Sequence, residues 1–178
     1  LAPHFLQAHA SVRPIRRVFV YARNPEKTAG LAKILESLGF EAHVTTDVEM
    51  AVREADIVSC VTTSTTAIVK GEWLKPGTHV DLAGAFKPTM RETDAAVVGM
   101  ASVFVDTRDG ALAEAGDLIQ AQAEGAFNFD DVKGDLFDLA QGRKRGRQSG
   151  REITLFKSCG TALEDLATAV MVHLRTTQ

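Results

Sequence analysis

The stretch Arg17-Val18-Phe19-Val20-Tyr21-Ala22-Arg23-Asn24-Pro25-Glu26-Lys27 decides the fold. Residues 18–21 form an unbroken β-branched and aromatic run, the composition of a strand. Asn24 followed by Pro25 marks a helix start, with Asn as N-cap and Pro at the first helical position, where its missing N–H costs nothing. Leu31, Ile34, Leu35 and Leu38 repeat at i, i+3, i+4 and i+7 and predict the buried stripe of that helix, and Gly39 supplies its left-handed stop.

Upstream, residues 1–12 place Phe5, Leu6 and Ala8 before a Val12-Arg13-Pro14 break and read as a helix. If it is a crossover helix, the strand at 18–21 is the second strand of a Rossmann-type, doubly wound parallel α/β sheet. The first strand and its Gly-rich phosphate loop are then expected before Leu1, and the chain is expected to begin inside a domain. In this fold an acid at the tip of the second strand binds the adenosine 2′-hydroxyl of NAD. Here that tip carries Ala22 and Arg23, a guanidinium suited to a 2′-phosphate, with Asn24 beside it. The expectation is NADPH preferred, with NADH possible.

Downstream the alternation continues. Residues 41–44 predict a strand, and Thr46-Asp47-Val48-Glu49 a capping box opening a helix through Ala55. Residues 56–61 are apolar without alternation, as in a parallel strand covered on both faces. Thr62 and Thr63 begin the loop at its carboxyl end, where open α/β sheets place ligands. Lys75-Pro76-Gly77-Thr78 is a turn into a strand at 79–83 that ends at Gly84. A polar stretch with Thr93 and Asp94 leads to a strand at 102–106; residues 107–122 read as one helix, and 129–139 as an amphipathic turn or two. The basic run 142–151 reads as an exposed loop, and a last strand and helix close the chain; Thr161-Ala162-Leu163-Glu164 opens that helix, with Leu163, Leu166, Ala167 and Val170 on one face. Residues 1–150 are taken as the truncated nucleotide-binding domain. Residues 151–178 are taken as a strand and helix returning toward a second domain.

Composition bounds the function. The chain has 178 residues, 45% hydrophobic and 24% charged, with a formal net charge of −3. That is an ordinary globular composition with no basic footprint for nucleic acid. There is no apolar run long enough for a membrane span and no signal peptide, so a cytoplasmic protein is expected. Cys60 and Cys159 lack C-x-x-C partners, and His4, His9, His43, His79 and His173 have no metal-ligand spacing, so neither disulfide nor metal is expected.

Gly71-Glu72-Trp73-Leu74-Lys75-Pro76-Gly77, Ala83-Gly84-Ala85-Phe86, Met90-Arg91-Glu92, Ala113-Glu114-Ala115-Gly116-Asp117-Leu118 and Thr154-Leu155-Phe156-Lys157-Ser158-Cys159-Gly160, in this order, resemble the ornithine cyclodeaminase/mu-crystallin family. The resemblance implies a Rossmann domain and a second domain, built from an N-terminal half absent here and the closing helix. That second domain would carry homodimerisation, much of the substrate pocket and the catalytic residues. Taken alone, the chain is expected to be inactive and prone to associate. The resemblance also implies a catalytic Asp in the cyclodeaminases where Phe86 stands, and a phenyl ring cannot transfer a proton. The Gly84 to Glu92 string looks most like the bacterial reductases that convert Δ1-pyrroline-2-carboxylate or Δ1-piperideine-2-carboxylate, cyclic imino acids, to L-proline or L-pipecolate. The alternatives are an ornithine cyclodeaminase, a lyase using bound NAD+, and a non-enzymatic NADPH binder of the mu-crystallin kind.

The candidate cofactor contacts are therefore Ala22, Arg23, Asn24, Thr62, Thr63, Ala83, Gly84, Phe86, Lys157 and Ser158, with Phe86, Ser158 and Cys159 at the substrate. Gly84 is expected to admit the nicotinamide closely because it has no Cβ. Cys159 has no adjacent His and is not read as a nucleophile. Glu114 and Asp117 are read as structural, bonding backbone amides.

Overall fold

The computed structural model describes residues 1–176 and divides into two compact units, Leu1–Ala55 and Asp56–Gln178. The first unit holds α1 (Ala2–Val12), β1 (Arg17–Val20), α2 (Pro25–Ser37), β2 (Glu41–Val44) and α3 (Val48–Glu54), with β1 and β2 parallel and Val20 opposite Val44. Asn24 caps α2, its Oδ1 accepting from Lys27 N at 3.1 Å, and Gly39 leaves the helix at φ +89°. The buried stripe differs from the expected one. Thr28, Ala32 and Leu35 are buried, while Ile34 and Leu38 are 50% and 42% exposed. A helix lying on two strands buries a narrower arc than a full heptad face, and Thr28 anchors that arc by donating to Asn24 O at 2.8 Å.

At α3 the expected capping box gives way to a cap one residue later. Asp47 Oδ1 accepts from Met50 N at 2.9 Å, while Glu49 reaches forward to Arg53 at 2.9 Å. Thr45 Oγ1 fixes this start by accepting from Asp47 N at 3.0 Å, leaving Thr46 outside the cap.

The second unit holds β3 (Ile57–Cys60), β4 (His79–Leu82), α4 (Ala95–Met100), β5 (Ser102–Val105), α5 (Arg108–Glu114), α6 (Gly116–Ala123), β6 (Gly134–Asp135), α7 (Leu136–Ala140), β7 (Thr154–Lys157) and α8 (Ala162–Thr176). Its sheet is wholly parallel in the order β3-β4-β7-β5-β6. β7, the last strand in the chain, is the middle one, with Leu155 opposite both Val80 and Val103. The closing segment set apart at residue 151 thus begins inside this sheet. Val80, Leu82, Val105 and Leu155 have no exposed surface and form the core.

Other departures have local causes. Ser59 is exposed, on the face of β3 opposite the buried Val58 and Cys60, and its hydroxyl donates to Asp81 at 3.1 Å. The helix read over 107–122 is two helices broken at Ala115. A Cβ on Gly116 would lie 2.1 Å from Met90 O and 2.4 Å from Lys87 O, and Gly116 N donates to Ala85 O at 3.0 Å, so the chain must turn there. α4, unread in the sequence, is a single short helix capped by Asp94, whose Oδ1 accepts from Val97 N and from Gly71 N. Within 129–139 lie a 3-10 turn (Phe129–Asp131), β6 and a capping box between Asp135 and Asp138.

α8 begins with the capping pair read from the sequence: Glu164 N donates to Thr161 Oγ1 at 3.2 Å and Thr161 N to Glu164 Oε2 at 3.0 Å. None of its residues is buried, and Leu163, Leu166 and Val170 lie open. Among the described residues no helix is long and apolar enough to cross a membrane.

Leu155 fills the centre of the sheet with no exposed surface. Leu155→Ala is expected to cost about 2–5 kcal/mol, read as a lower urea midpoint at an unchanged slope.

Candidate functional site

The carboxyl ends of the central strands fall level with one another. Cys60 is opposite Leu82, Leu82 opposite Lys157, and Lys157 opposite Val105. The ladder runs one residue further, with Ala83 N donating to Cys60 O at 2.9 Å, Ser158 N to Leu82 O at 3.0 Å and Asp106 N to Lys157 O at 3.2 Å. Thr62, Thr63, Ala83, Gly84, Phe86, Ser158 and Cys159 therefore belong to loops leaving one edge of one sheet, the edge at which parallel α/β folds bind ligands. Ala22, Arg23 and Asn24 lie in the first unit, exposed at the carboxyl end of β1.

Three buried carboxylates organise these loops. Glu92, with no exposed surface, accepts from Thr62 N at 2.6 Å, from Gly84 N at 2.8 Å and from Ala85 N at 3.3 Å. Asp117 lies behind it, Oδ1 accepting from Glu92 N and Thr93 N, each at 2.8 Å, and from Thr93 Oγ1 at 3.1 Å. Asp106 holds the turn after β7, Oδ2 accepting from Cys159 N at 2.6 Å and Gly160 N at 2.7 Å, with Ser158 Oγ at 3.5 Å. The structural reading of Asp117 thus holds, whereas Glu114 is exposed.

Two expectations change. A Cβ on Gly84 would stand 2.1 Å from Glu92 Oε1 and 2.2 Å from Thr62 O, so the space this glycine leaves is filled by a carboxylate and a carbonyl of the protein. Lys157 is completely buried, and its Nζ turns inward to Leu82 O at 3.3 Å and Ser158 O at 3.0 Å. The lysine thus ties the strand ends together from within, and Ser158 is the half-buried polar group that this turn presents.

Phe86 is 40% exposed beyond Gly84, with the Lys87 ammonium 5.9 Å from its ring centre. Burial pushes the Cys159 thiol up to about 11 against the lowering effect of Lys157, which favours the protonated thiol at neutral pH. Burial also raises the Cys60 thiol. Among the described residues no cluster of His, Cys, Asp and Glu is arranged to hold a metal.

The sequence reading did not single out Glu92 or Asp106 as builders of the site. Both lie in or beside strings already noticed, but their partners are far off along the chain: Thr62 is thirty positions before Glu92, and Gly160 fifty-four after Asp106. No local pattern reports such a pairing.

A parallel α/β sheet whose polar loops gather at one strand edge defines a Rossmann-like domain. The chain belongs to the ornithine cyclodeaminase/mu-crystallin family, whose model matches residues 2–178. It is 42% identical over 180 residues to the protein SAR DEFICIENT 4 of Arabidopsis thaliana, covering 97% of this chain and 54% of that one. It is also 42% identical over 170 residues to a Δ1-pyrroline-2-carboxylate reductase of Paracoccus denitrificans, covering 95% of this chain and 54% of the relative. Among solved structures it resembles the Thermococcus litoralis Δ1-pyrroline-2-carboxylate reductase in complex with NADH and L-proline. That match has a TM-score of 0.91 and 36% identity, covering 94% of this chain and 52% of that one. An archaeal alanine dehydrogenase dimer with bound NAD matches with a TM-score of 0.89 and 32% identity, covering 96% of this chain and 52% of the other. The chain thus spans about half the length of the relatives it matches.

Burial raises the Asp117 carboxyl above its ordinary value, outweighing the amide hydrogen bonds from Thr93 and Glu92 and the Lys157 charge. The folded protein holds this proton more tightly than the unfolded chain, so its contribution to stability is greatest at low pH. That contribution falls as pH rises through the ordinary carboxylate range toward the raised value. Asp117→Asn retains an acceptor at Oδ1 and removes the ionisation. Denaturant midpoints across that range are expected to move in favour of the variant as pH rises; parallel profiles would show that Asp117 titrates normally.

Proposed function

We propose that this chain is the cofactor-binding part of an NAD(P)H-dependent oxidoreductase that reduces a cyclic ketimine, Δ1-pyrroline-2-carboxylate or Δ1-piperideine-2-carboxylate, to L-proline or L-pipecolate. The observation that carries this reading is the fate of the carboxylates at the strand ends. Glu92, Asp106 and Asp117 are all buried and engaged by backbone N–H groups, and Phe86 occupies the open position beyond Gly84. A site so built supports a reaction whose chemistry resides in the cofactor better than one needing a free acid or base from these loops. The Paracoccus and Thermococcus relatives, named as Δ1-pyrroline-2-carboxylate reductases, support the same reading.

The loops fit a nicotinamide group chemically. They lie close to the sheet edge and carry half-buried hydroxyls at Thr62 and Ser158. When bound, the nicotinamide supplies the hydride. Ser158, turned by Asp106 and by the buried Lys157 beneath it, orients the substrate carboxylate or the nicotinamide amide. Phe86 offers an apolar wall to a flat ring, and the neutral Cys159 narrows the pocket without adding charge. Thr62, Thr63 and Ala83 line the loops that exclude water from the reacting carbon. The proton required at the imine nitrogen comes from outside these residues.

The assay is a pair of measurements on the full-length protein carrying this sequence: loss of NAD(P)H absorbance with Δ1-pyrroline-2-carboxylate, and ammonia release from L-ornithine. Imine reduction with little ammonia is expected. Ammonia without imine reduction would establish a lyase, and neither activity would leave a binding protein. Phe86→Asp is expected to lower the reductase rate by setting a partly desolvated charge beside the imine carbon.

For the cofactor, we propose that Ala22, Arg23 and Asn24 meet the adenosine end and favour NADPH. The similar structures carry NADH or NAD+, so this preference rests on the exposed Arg23 guanidinium and on the absence of an acid at Ala22. A charge-assisted contact of about 1.5–3 kcal/mol corresponds to roughly ten- to a hundredfold discrimination. Arg23→Ala is expected to erase most of that preference and leave NADH affinity nearly unchanged in paired titrations. Equal affinities in the parent protein would make Arg23 a plain surface residue.

A further inference from the structure

We propose that Glu92 is a positioning residue, whose carboxylate sets the spacing between the loops after β3 and β4 so that they receive the nicotinamide end of the cofactor. The inference rests on the functional reading above but is carried by different geometry. One oxygen accepts from Thr62 N at 2.6 Å, on the loop leaving β3. The other accepts from Gly84 N at 2.8 Å and Ala85 N at 3.3 Å, on the loop leaving β4. The carboxylate therefore bridges the two loops from beneath. Taking it out of water is costly, and its return is three backbone donors that no neutral side chain of similar size could satisfy together. Gly84 completes the arrangement, since any side chain there would strike the carboxylate and the Thr62 carbonyl it holds in place.

The carboxylate is itself set from behind. Asp117, at the start of α6, fixes the backbone N–H groups of Glu92 and Thr93, while Glu92 O accepts from Ile68 N at 2.8 Å and Val69 N at 3.1 Å. Residue 92 is thus immobilised on both sides, and its side chain sets where the amides of Thr62, Gly84 and Ala85 stand. Glu92 would not touch the cofactor; it acts through the loops that do.

The test uses the full-length protein and compares NADH with ADP-ribose, which has the adenosine half and no nicotinamide. In Glu92→Gln, one amide nitrogen must face backbone N–H groups, so one loop is released. The NADH dissociation constant is expected to rise about tenfold while that for ADP-ribose stays within about twofold. Hydrogen exchange in segments 61–66 and 83–87 is expected to quicken. Glu152→Gln removes a carboxylate bonded to Ser102 Oγ before the opposite ends of β5 and β7 and is expected to leave both affinities unchanged. Glu92→Asp, one methylene shorter, provides a second variant in which the same selective loss is expected if the Gln form does not fold. An equal loss of NADH and ADP-ribose binding, no loss of either, or unchanged exchange in the two segments would each overturn the proposal. A parent protein that does not bind NADH would remove the functional reading instead, and the exchange measurement would still decide whether Glu92 clamps the loops.

Discussion

The second unit depends on one constraint: every backbone N–H that leaves the sheet at its carboxyl edge needs an acceptor, and the sheet cannot provide one there. A parallel ladder ends with donors and acceptors facing into loops. In this chain Glu92, Asp106 and Asp117 supply acceptors where the loops turn away from the sheet. Because a carboxyl oxygen has two lone pairs, it can take more than one donor at once, and the loops can be compact without covering their amides with more protein.

The buried Lys157 belongs to this scheme. Its ammonium binds carbonyls of Leu82 and Ser158, taking care of acceptors as the carboxylates take care of donors. Positive and negative groups are therefore both enclosed at the edge of the sheet, each satisfied largely by main chain. Such a network is a rigid platform when complete and costly to break in part. The polar side chains that remain open above it, among them Ser158 and the two threonines after β3, are presented on a floor that does not rearrange easily.

Much of the fold was legible in the sequence because it was written locally. Asn24-Pro25, Gly39, Lys75-Pro76-Gly77 and the Thr161/Glu164 pair each specify a turn or cap within a few residues, and each behaves in the structure as its chemistry dictates. The hidden features are those whose partners lie far along the chain. The place of β7 between β4 and β5 cannot be read from its own four residues, and neither can the burial of Lys157, which looks like a solvent-seeking side chain until the sheet closes around it. At Gly84 the place of the missing Cβ is taken by the protein's own Glu92 carboxylate and the Thr62 carbonyl, partners eight and twenty-two positions away along the chain. In α2, periodicity reports which residues are apolar, and the breadth of the surface beneath decides how many of them are covered.

The junction between β7 and α8 behaves like a lever on a short pivot. Gly160 turns at φ +87°, Asp106 grips its N–H, and the next residue caps the helix, so the direction of α8 is set within a few residues of the sheet and owes little to packing along its length. At 1.5 Å per residue its fifteen residues reach roughly 22 Å, so a tilt of about 10° at the pivot would swing the far end by roughly 4 Å. The position of the far end of this helix is therefore decided at one glycine and one aspartate. Substitutions along the arm alter the surface it presents, whereas substitutions at the pivot alter where it points.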